Sequence, residues 1–216
     1  NAREDHPWEF VLADTLIDRN PTGYRFRCGV DGYAGEIEVP KAVNMGNAEI
    51  PLELYLRFVG FYVTEGSHRT YDYKHKRAPF SDFQGIINIV QTFKKFSEEF
   101  TETLTEVPGF SFRDYPKDAP TYRKFSNSDP AFVTYVVNEI GVRGSKNIPD
   151  WVLKLPTKYL EILLEAVILG DGSVDPNGGY WFTNTNKKLV DQVCEIATKC
   201  GHVVVVEPKK FTNPGE

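Results

Sequence analysis

Phe58-Val-Gly-Phe-Tyr-Val-Thr-Glu-Gly66 and Leu164-Glu-Ala-Val-Ile-Leu-Gly-Asp-Gly172 decide how this chain is read. Each is an apolar run that ends in one carboxylate followed at once by glycine, and each continues into serine, Ser67 or Ser173. From Pro51 to Glu65 and from Thr157 to Asp171, apolar residues fall on nearly every side of a helical wheel, which predicts two helices buried over most of their circumference. Gly60 and Ala166 occupy equivalent places in the two runs, where a missing or minimal side chain lets helix backbones approach closely. Gly66 and Gly172 follow the last helical turn and are expected in the left-handed cap conformation. Glu65 and Asp171 then project together from one end of the helix pair.

Two carboxylates at helix C-termini repel each other and the partial negative charge of the helix ends, so the position calls for something positive. A hard divalent cation with oxygen ligands meets that need, and such ions beside a scissile phosphate are the usual arrangement for phosphodiester hydrolysis. Taken singly, Glu-Gly or Asp-Gly is an ordinary helix end. The signal lies in two copies matched along their whole length.

The two runs resemble the paired motifs of the LAGLIDADG homing endonucleases, the group that includes the endonuclease domains of inteins. Lys146-Asn-Ile-Pro-Asp150, upstream of the second helix, is similar to the Lys-x-Ile-Pro block that precedes the second motif in intein-type members. The resemblance covers residues 49–210. It departs from the family pattern mildly, with Glu65 where aspartate is commoner and Ala166 where glycine is.

What the resemblance implies is an α+β fold of tandem pseudo-two-fold αββαββα repeats, with the two helices packed at its centre and a saddle-shaped antiparallel sheet that follows a DNA groove. It implies a monomeric, site-specific double-stranded DNA endonuclease. Glu65 and Asp171, with the backbone at Gly66 and Gly172, would hold Mg2+, about two or three divalent ions in all. Lys146 corresponds to the basic residue that positions or polarises the attacking water, and Gln91 and, less closely, Asn184 to a polar residue near that water. Candidates for phosphate and base-edge contacts on the open sheet face are Arg69, Tyr71, Tyr73, Lys74, Lys76, Arg77, Arg113, Arg123, Trp181 and Lys209. Strand register decides which of them face the groove.

Working outward, residues 8–18 read as a strand or a short helix. Gly23–Cys28 and Gly35–Val39 alternate like a hairpin around Val30-Asp-Gly32. Pro51 suits the first turn of the first buried helix. A polar strand to about Arg77 and a second over Gly85–Gln91 follow, then a helix from Thr92 to about Thr105 with Phe93, Phe96, Phe100 and Leu104 at helical spacing. Strands are expected at Gly109–Tyr115 and Thr121–Phe125, and a helix from Pro130 to Ile140 capped by Ser128 or Asp129. The second half repeats this order: Gln91-Thr-Phe-Lys-Lys-Phe96 aligns with Asn184-Thr-Asn-Lys-Lys-Leu189, and His202–Glu207 is expected to open its second strand pair. Three segments result: a β-rich extension over 1–48, an accessory unit or splicing-domain remnant; a first repeat over 49–145; and a second, incomplete repeat over 146–216. Asn1 in place of methionine predicts a piece of a longer reading frame.

A chain of 216 residues that is 41% hydrophobic and 13% aromatic can build a real core as one large domain or two small ones. It shows neither a membrane span nor a signal peptide, so an intracellular setting, cytoplasm or organelle matrix, is expected. Cys28, Cys194 and Cys200 form no Cys-x-x-Cys pair, which disfavours a disulfide framework or zinc site. The net charge of −5 is awkward for a DNA-binding protein, yet residues 1–66 hold 6 basic and 11 acidic side chains whereas residues 67–216 hold 19 of each. Within the balanced part, His68–Arg77 interleaves basic residues with tyrosine, as a nucleic-acid contact or a solvated surface hairpin. Three alternatives fit the same residues: the endonuclease domain of an intein, a catalytically inactive DNA- or RNA-binding protein on the same scaffold, and an α+β domain of unrelated use.

Overall fold

The computed structural model of the protein describes residues 32–70, 85–93, 97–175 and 179–207. Strands β1 (Ala42–Met45) and β2 (Ala48–Pro51) pair antiparallel and lead into α1 (Leu52–Glu65). Then come β3 (Gly66–Thr70), β4 (Gly85–Thr92), α2 (Ser97–Glu106), β5 (Ser111–Tyr115), β6 (Tyr122–Asn127) and α3 (Pro130–Glu139). A 3-10 turn (Val152–Lys154) precedes α4 (Thr157–Asp171), β7 (Gly172–Val174), β8 (Tyr180–Phe182) and α5 (Lys187–Lys199). The fold is α+β with antiparallel sheets, and the order helix, strand, strand, helix occurs at α1-β3-β4-α2 and again at α4-β7-β8-α5.

The two apolar runs form the centre. Tyr55, Leu56, Phe58, Val59, Phe61, Tyr62 and Val63 of α1 and Leu160, Leu163, Ala166 and Val167 of α4 are fully buried. A Cβ built on Gly60 would come within 2.5 Å of the Ala166 Cβ, and one on Gly170 would collide with the Thr64 hydroxyl. The helices therefore touch backbone to backbone at mid-length and again one residue before their terminal acids.

Gly66 and Gly172 depart from the expected left-handed caps: their φ values are −73° and −92°, in extended backbone. The chain runs directly from helix into strand, and glycine is required for room. A Cβ on Gly66 would strike the ring and carbonyl oxygen of Tyr62, and one on Gly172 would lie 2.5 Å from the Ile168 carbonyl oxygen.

The larger sheet has the order β3-β4-β6-β5. Ile87, Ile89 and Phe125 on one face enter the core with α1 and α2, where Phe61 stacks on Phe100 at 3.8 Å. The expected Asp129 cap is present, its carboxylate accepting from the Phe132 N–H at 2.8 Å.

Local pattern misplaced four boundaries. Thr92 pairs with Tyr122 in the ladder, so β4 runs on and α2 begins only at Ser97, leaving Phe93 outside the helix; Phe96 lies outside the described residues. Gly109 sits at φ 84° against the Asn127 amide, and β5 starts at Ser111. Residues 35–39 form no strand, because Gly35 turns at φ 85° against Pro156 and the Glu36 N–H is committed to the Lys154 carbonyl. Residues 202–207 likewise form no strand: a ladder needs a partner, none of the described residues supplies one, and Val203 and Val205 are 71% and 77% exposed. The expectations for residues 8–28 fall outside the described residues.

The hairpin β1-β2 was not expected. Its Gly46, at φ 79°, packs on the Ala131 backbone, and Met45 is fully buried, which joins it to α1 and α3. No helix among the described residues is long and apolar enough to cross a membrane.

Candidate active site at the paired helix ends

Because Thr64 and Gly170 are in contact, the next residue on each helix, Glu65 and Asp171, emerges at the same end of the pair. Lys146 reaches this spot from the segment between α3 and α4. Gly141 at φ 90° and Gly144 at φ 88° turn the chain back after α3, and the Tyr62 hydroxyl donates to the Gly141 carbonyl at 2.9 Å, tying the loop to α1. Beyond the lysine, buried Ile148 is clamped on both main-chain groups by Gln192, which accepts from its N–H at 2.9 Å and donates to its carbonyl at 2.7 Å. The Lys-Asn-Ile-Pro block is therefore an anchored approach to the site.

The Lys146 ammonium donates to the carbonyls of Tyr62 (3.0 Å), Thr64 (3.3 Å) and Gly66 (3.0 Å). An ammonium has three hydrogens, and these three oxygens account for them. Two belong to the last turn of α1, where the Tyr62 oxygen also accepts from the Gly66 N–H. The lysine thus caps α1 from a distant part of the chain and brings positive charge to a helix end rich in negative charge. Burial pushes its pKa down to about 8, while the Asp171 carboxylate and then the Glu65 carboxylate act to raise it. Both acids act electrostatically on one ammonium.

An amide attends each acid in the same way. The Gln91 Nε2 lies 3.5 Å from the Glu65 Oε1, and the Asn184 Nδ2 lies 3.4 Å from the Asp171 Oδ2. In each case a main-chain N–H holds the amide oxygen, that of Thr92 on Gln91 at 2.8 Å and that of Asn186 on Asn184 at 2.9 Å, which turns the NH2 toward the carboxylate. The Asn186 side chain in turn donates to the Lys146 carbonyl at 2.6 Å and accepts from the Leu189 N–H at the start of α5. All five residues singled out for chemistry, Glu65, Asp171, Lys146, Gln91 and Asn184, are gathered in one place.

Among the described residues no group of three or more His, Cys, Asp or Glu makes a ligand cluster here. Two carboxylates with main-chain oxygens nearby suit Mg2+, which keeps several waters and takes its remaining oxygens from a bound phosphate. The set does not suit tetrahedral zinc.

The sheet carries a second set of polar residues on the face turned away from the helices. A trough of about 430 Å3 there is lined by Ser67, Arg69, Asn88, Val90, Tyr115, Tyr122 and Lys124. Arg113 stands directly across from Lys124, a like-charge pair that costs stability unless something anionic covers it. The rings of Tyr115 and Tyr122 stack at 5.5 Å. Trp181, half exposed, pairs with Ser173 in the smaller sheet.

Arg69 is in this trough as expected. Arg123 is not on the open face: register pairs it with Asp114 on the helix side. There it binds both carboxylate oxygens at 2.6 and 2.9 Å, donates to Thr101 and lies 4.3 Å over the Phe112 ring. Tyr71, Tyr73, Lys74, Lys76, Arg77 and Lys209 lie outside the described residues. Sequence reasoning missed Lys124, Tyr115, Tyr122 and Asn88, although period-two alternation from Arg113 marks Ser111 and Tyr115 as its face-mates. No family model matches this chain, and no curated protein matches it either.

Proposed function

We propose that the chain is a LAGLIDADG-type endonuclease that cuts both strands of a specific DNA duplex as an intracellular monomer. In this reading residues 49–145 and 146–216 are two αββαββα repeats, the second incomplete, related by a pseudo-two-fold axis along the α1–α4 contact. The observation that carries it is the emergence of Glu65 and Asp171 at the same end of two glycine-packed helices, each with a side-chain amide beside it, at the helix end that the Lys146 ammonium caps.

Glu65 and Asp171 would hold Mg2+, with the backbone at Gly172 alongside and the Gly66 carbonyl taken by Lys146, and bound ions would supply an activated water and neutralise charge on the leaving oxygen. The chain's own residues do the rest. Lys146 brings positive charge to the end of α1 that carries Glu65 and fixes that end through three main-chain carbonyls. Gln91 and Asn184, their oxygens already engaged, present NH2 donors that orient each carboxylate and a water beside it. Arg69, Arg113 and Lys124 line the open sheet face with positive charge for the phosphate backbone, and Trp181 extends that face on the smaller sheet. The Arg113–Lys124 pair supports a polyanionic partner, since an anion removes their mutual repulsion.

The test is a cleavage selection in Mg2+ from plasmids carrying randomised duplex inserts, followed by assays of Glu65→Gln and Asp171→Asn on the selected duplex. Both variants are expected to bind the duplex nearly as the unmodified protein does and to lose double-strand cleavage. Cleavage persisting in both single variants removes the catalytic assignment. Binding without cleavage by the unmodified protein favours the inactive DNA-binding alternative.

A further inference from the structure

We propose that Asn88 is a base-reading residue that selects one adenine through its major-groove edge, an inference that rests on the DNA-binding reading above. Asn88 lies on β4 in the middle of the open sheet face and is 2% exposed. Its Oδ1 accepts from the Ser126 hydroxyl at 2.9 Å, whereas its Nδ2 is buried with no hydrogen-bond partner among the described residues. Buried side-chain amides are normally satisfied within the protein, so an NH2 buried without a partner at the floor of a trough on the binding face points to an acceptor supplied from outside.

The register makes Asn88 the floor of the trough. Ser67 on β3 and Ser126 on β6 stand directly across from it, and both are short. Arg69 on β3 and Lys124 on β6 rise on either side, with Tyr122 beyond. Long cationic side chains reach phosphates to the two sides, and the short residues leave room for a base edge to descend between them. An asparagine amide matches adenine in that position: Nδ2 donates to N7, and the second lone pair of Oδ1 accepts from the N6 amino group.

The experiment is a binding selection from a randomised duplex library in EDTA, with unmodified protein, Asn88→Asp and Asn88→Ser, the folding of each checked by thermal melting. The unmodified protein is expected to enrich a motif with one invariant adenine. In Asn88→Asp, whose carboxylate is acceptor-only, that position turns to cytosine; in Asn88→Ser it loses its preference while the rest of the motif stays. Replacing that adenine by 7-deazaadenine in the selected duplex is expected to weaken binding of the unmodified protein about ten-fold or more, a readout that needs no variant to fold. Identical motifs in all three proteins, or no adenine sensitive to the 7-deaza change, overturns the role of Asn88 and leaves DNA binding standing. If the unmodified protein enriches no motif, DNA reading fails and this inference falls with it.

Discussion

A Cβ placed on Gly60 would lie 2.5 Å from the Cβ of Ala166, well inside the distance at which two carbon atoms can coexist. That contact, with the Thr64–Gly170 contact one turn on, holds α1 and α4 together so that Glu65 and Asp171 leave the pair at the same end. Gly60→Val forces the helices apart or twists side chains off their rotamers, and is expected to cost about 1–3 kcal/mol by urea unfolding. A variant as stable as the parent would show that the helices do not pack at this position.

Gln192 satisfies both main-chain groups of Ile148 in a buried setting. Gln192→Leu keeps the volume and strands a buried N–H and a buried carbonyl, with an expected loss of about 2–4 kcal/mol by the same measurement. Unchanged stability would mean that the Lys-Asn-Ile-Pro block is anchored some other way.

Lys146 carries a pH signature. Its folded pKa, about 8 through burial, lies below its ordinary 10.5. Between these values the unfolded chain holds more protons at this residue than the folded chain, so its contribution to stability rises with pH across that window and its burial penalty is full below it. Melting temperatures of the parent and Lys146→Met, compared from pH 7 to 9.5, are expected to shift in favour of the parent as pH increases. A constant difference would place the ammonium in ordinary solvent.

Arg123 and Lys124 are sequence neighbours with opposite assignments. Arg123→Ala breaks the bidentate contact with Asp114 and the stacking on Phe112, so it is expected to lower the melting temperature. Lys124→Ala faces the trough and relieves the repulsion with Arg113, so it is expected to raise the melting temperature slightly, if at all, while reducing the slope of log affinity for duplex DNA against log salt by about 1. Equal loss of salt dependence in both variants would contradict the register of β6.

The motif runs were legible because burial on all sides, a small residue at mid-length and a terminal acid before glycine are local patterns. The amides were legible through the repeat: Gln91 and Asn184 align by sequence and make the same contact with their acids. The face of β6 was not legible, since Tyr122-Arg-Lys-Phe125 offers a cation to either side and only the partner strand decides. Residues 202–207 misled for a related reason, as a run of valines states a preference for extended backbone but cannot supply the neighbour a ladder needs.

The sequence by itself determined the two buried helices, the positions of their acids and small residues, and the repeated order of elements, because each rests on the spacing of side chains a few residues apart. Only the tertiary structure decided that Gly66 and Gly172 are extended, that Arg123 belongs to Asp114, and that Lys146 caps α1 from 80 or more positions away. Those outcomes depend on strand register, on the room left beside each backbone and on which distant segments meet when the elements close on one another, and that is settled by the packed molecule as a whole.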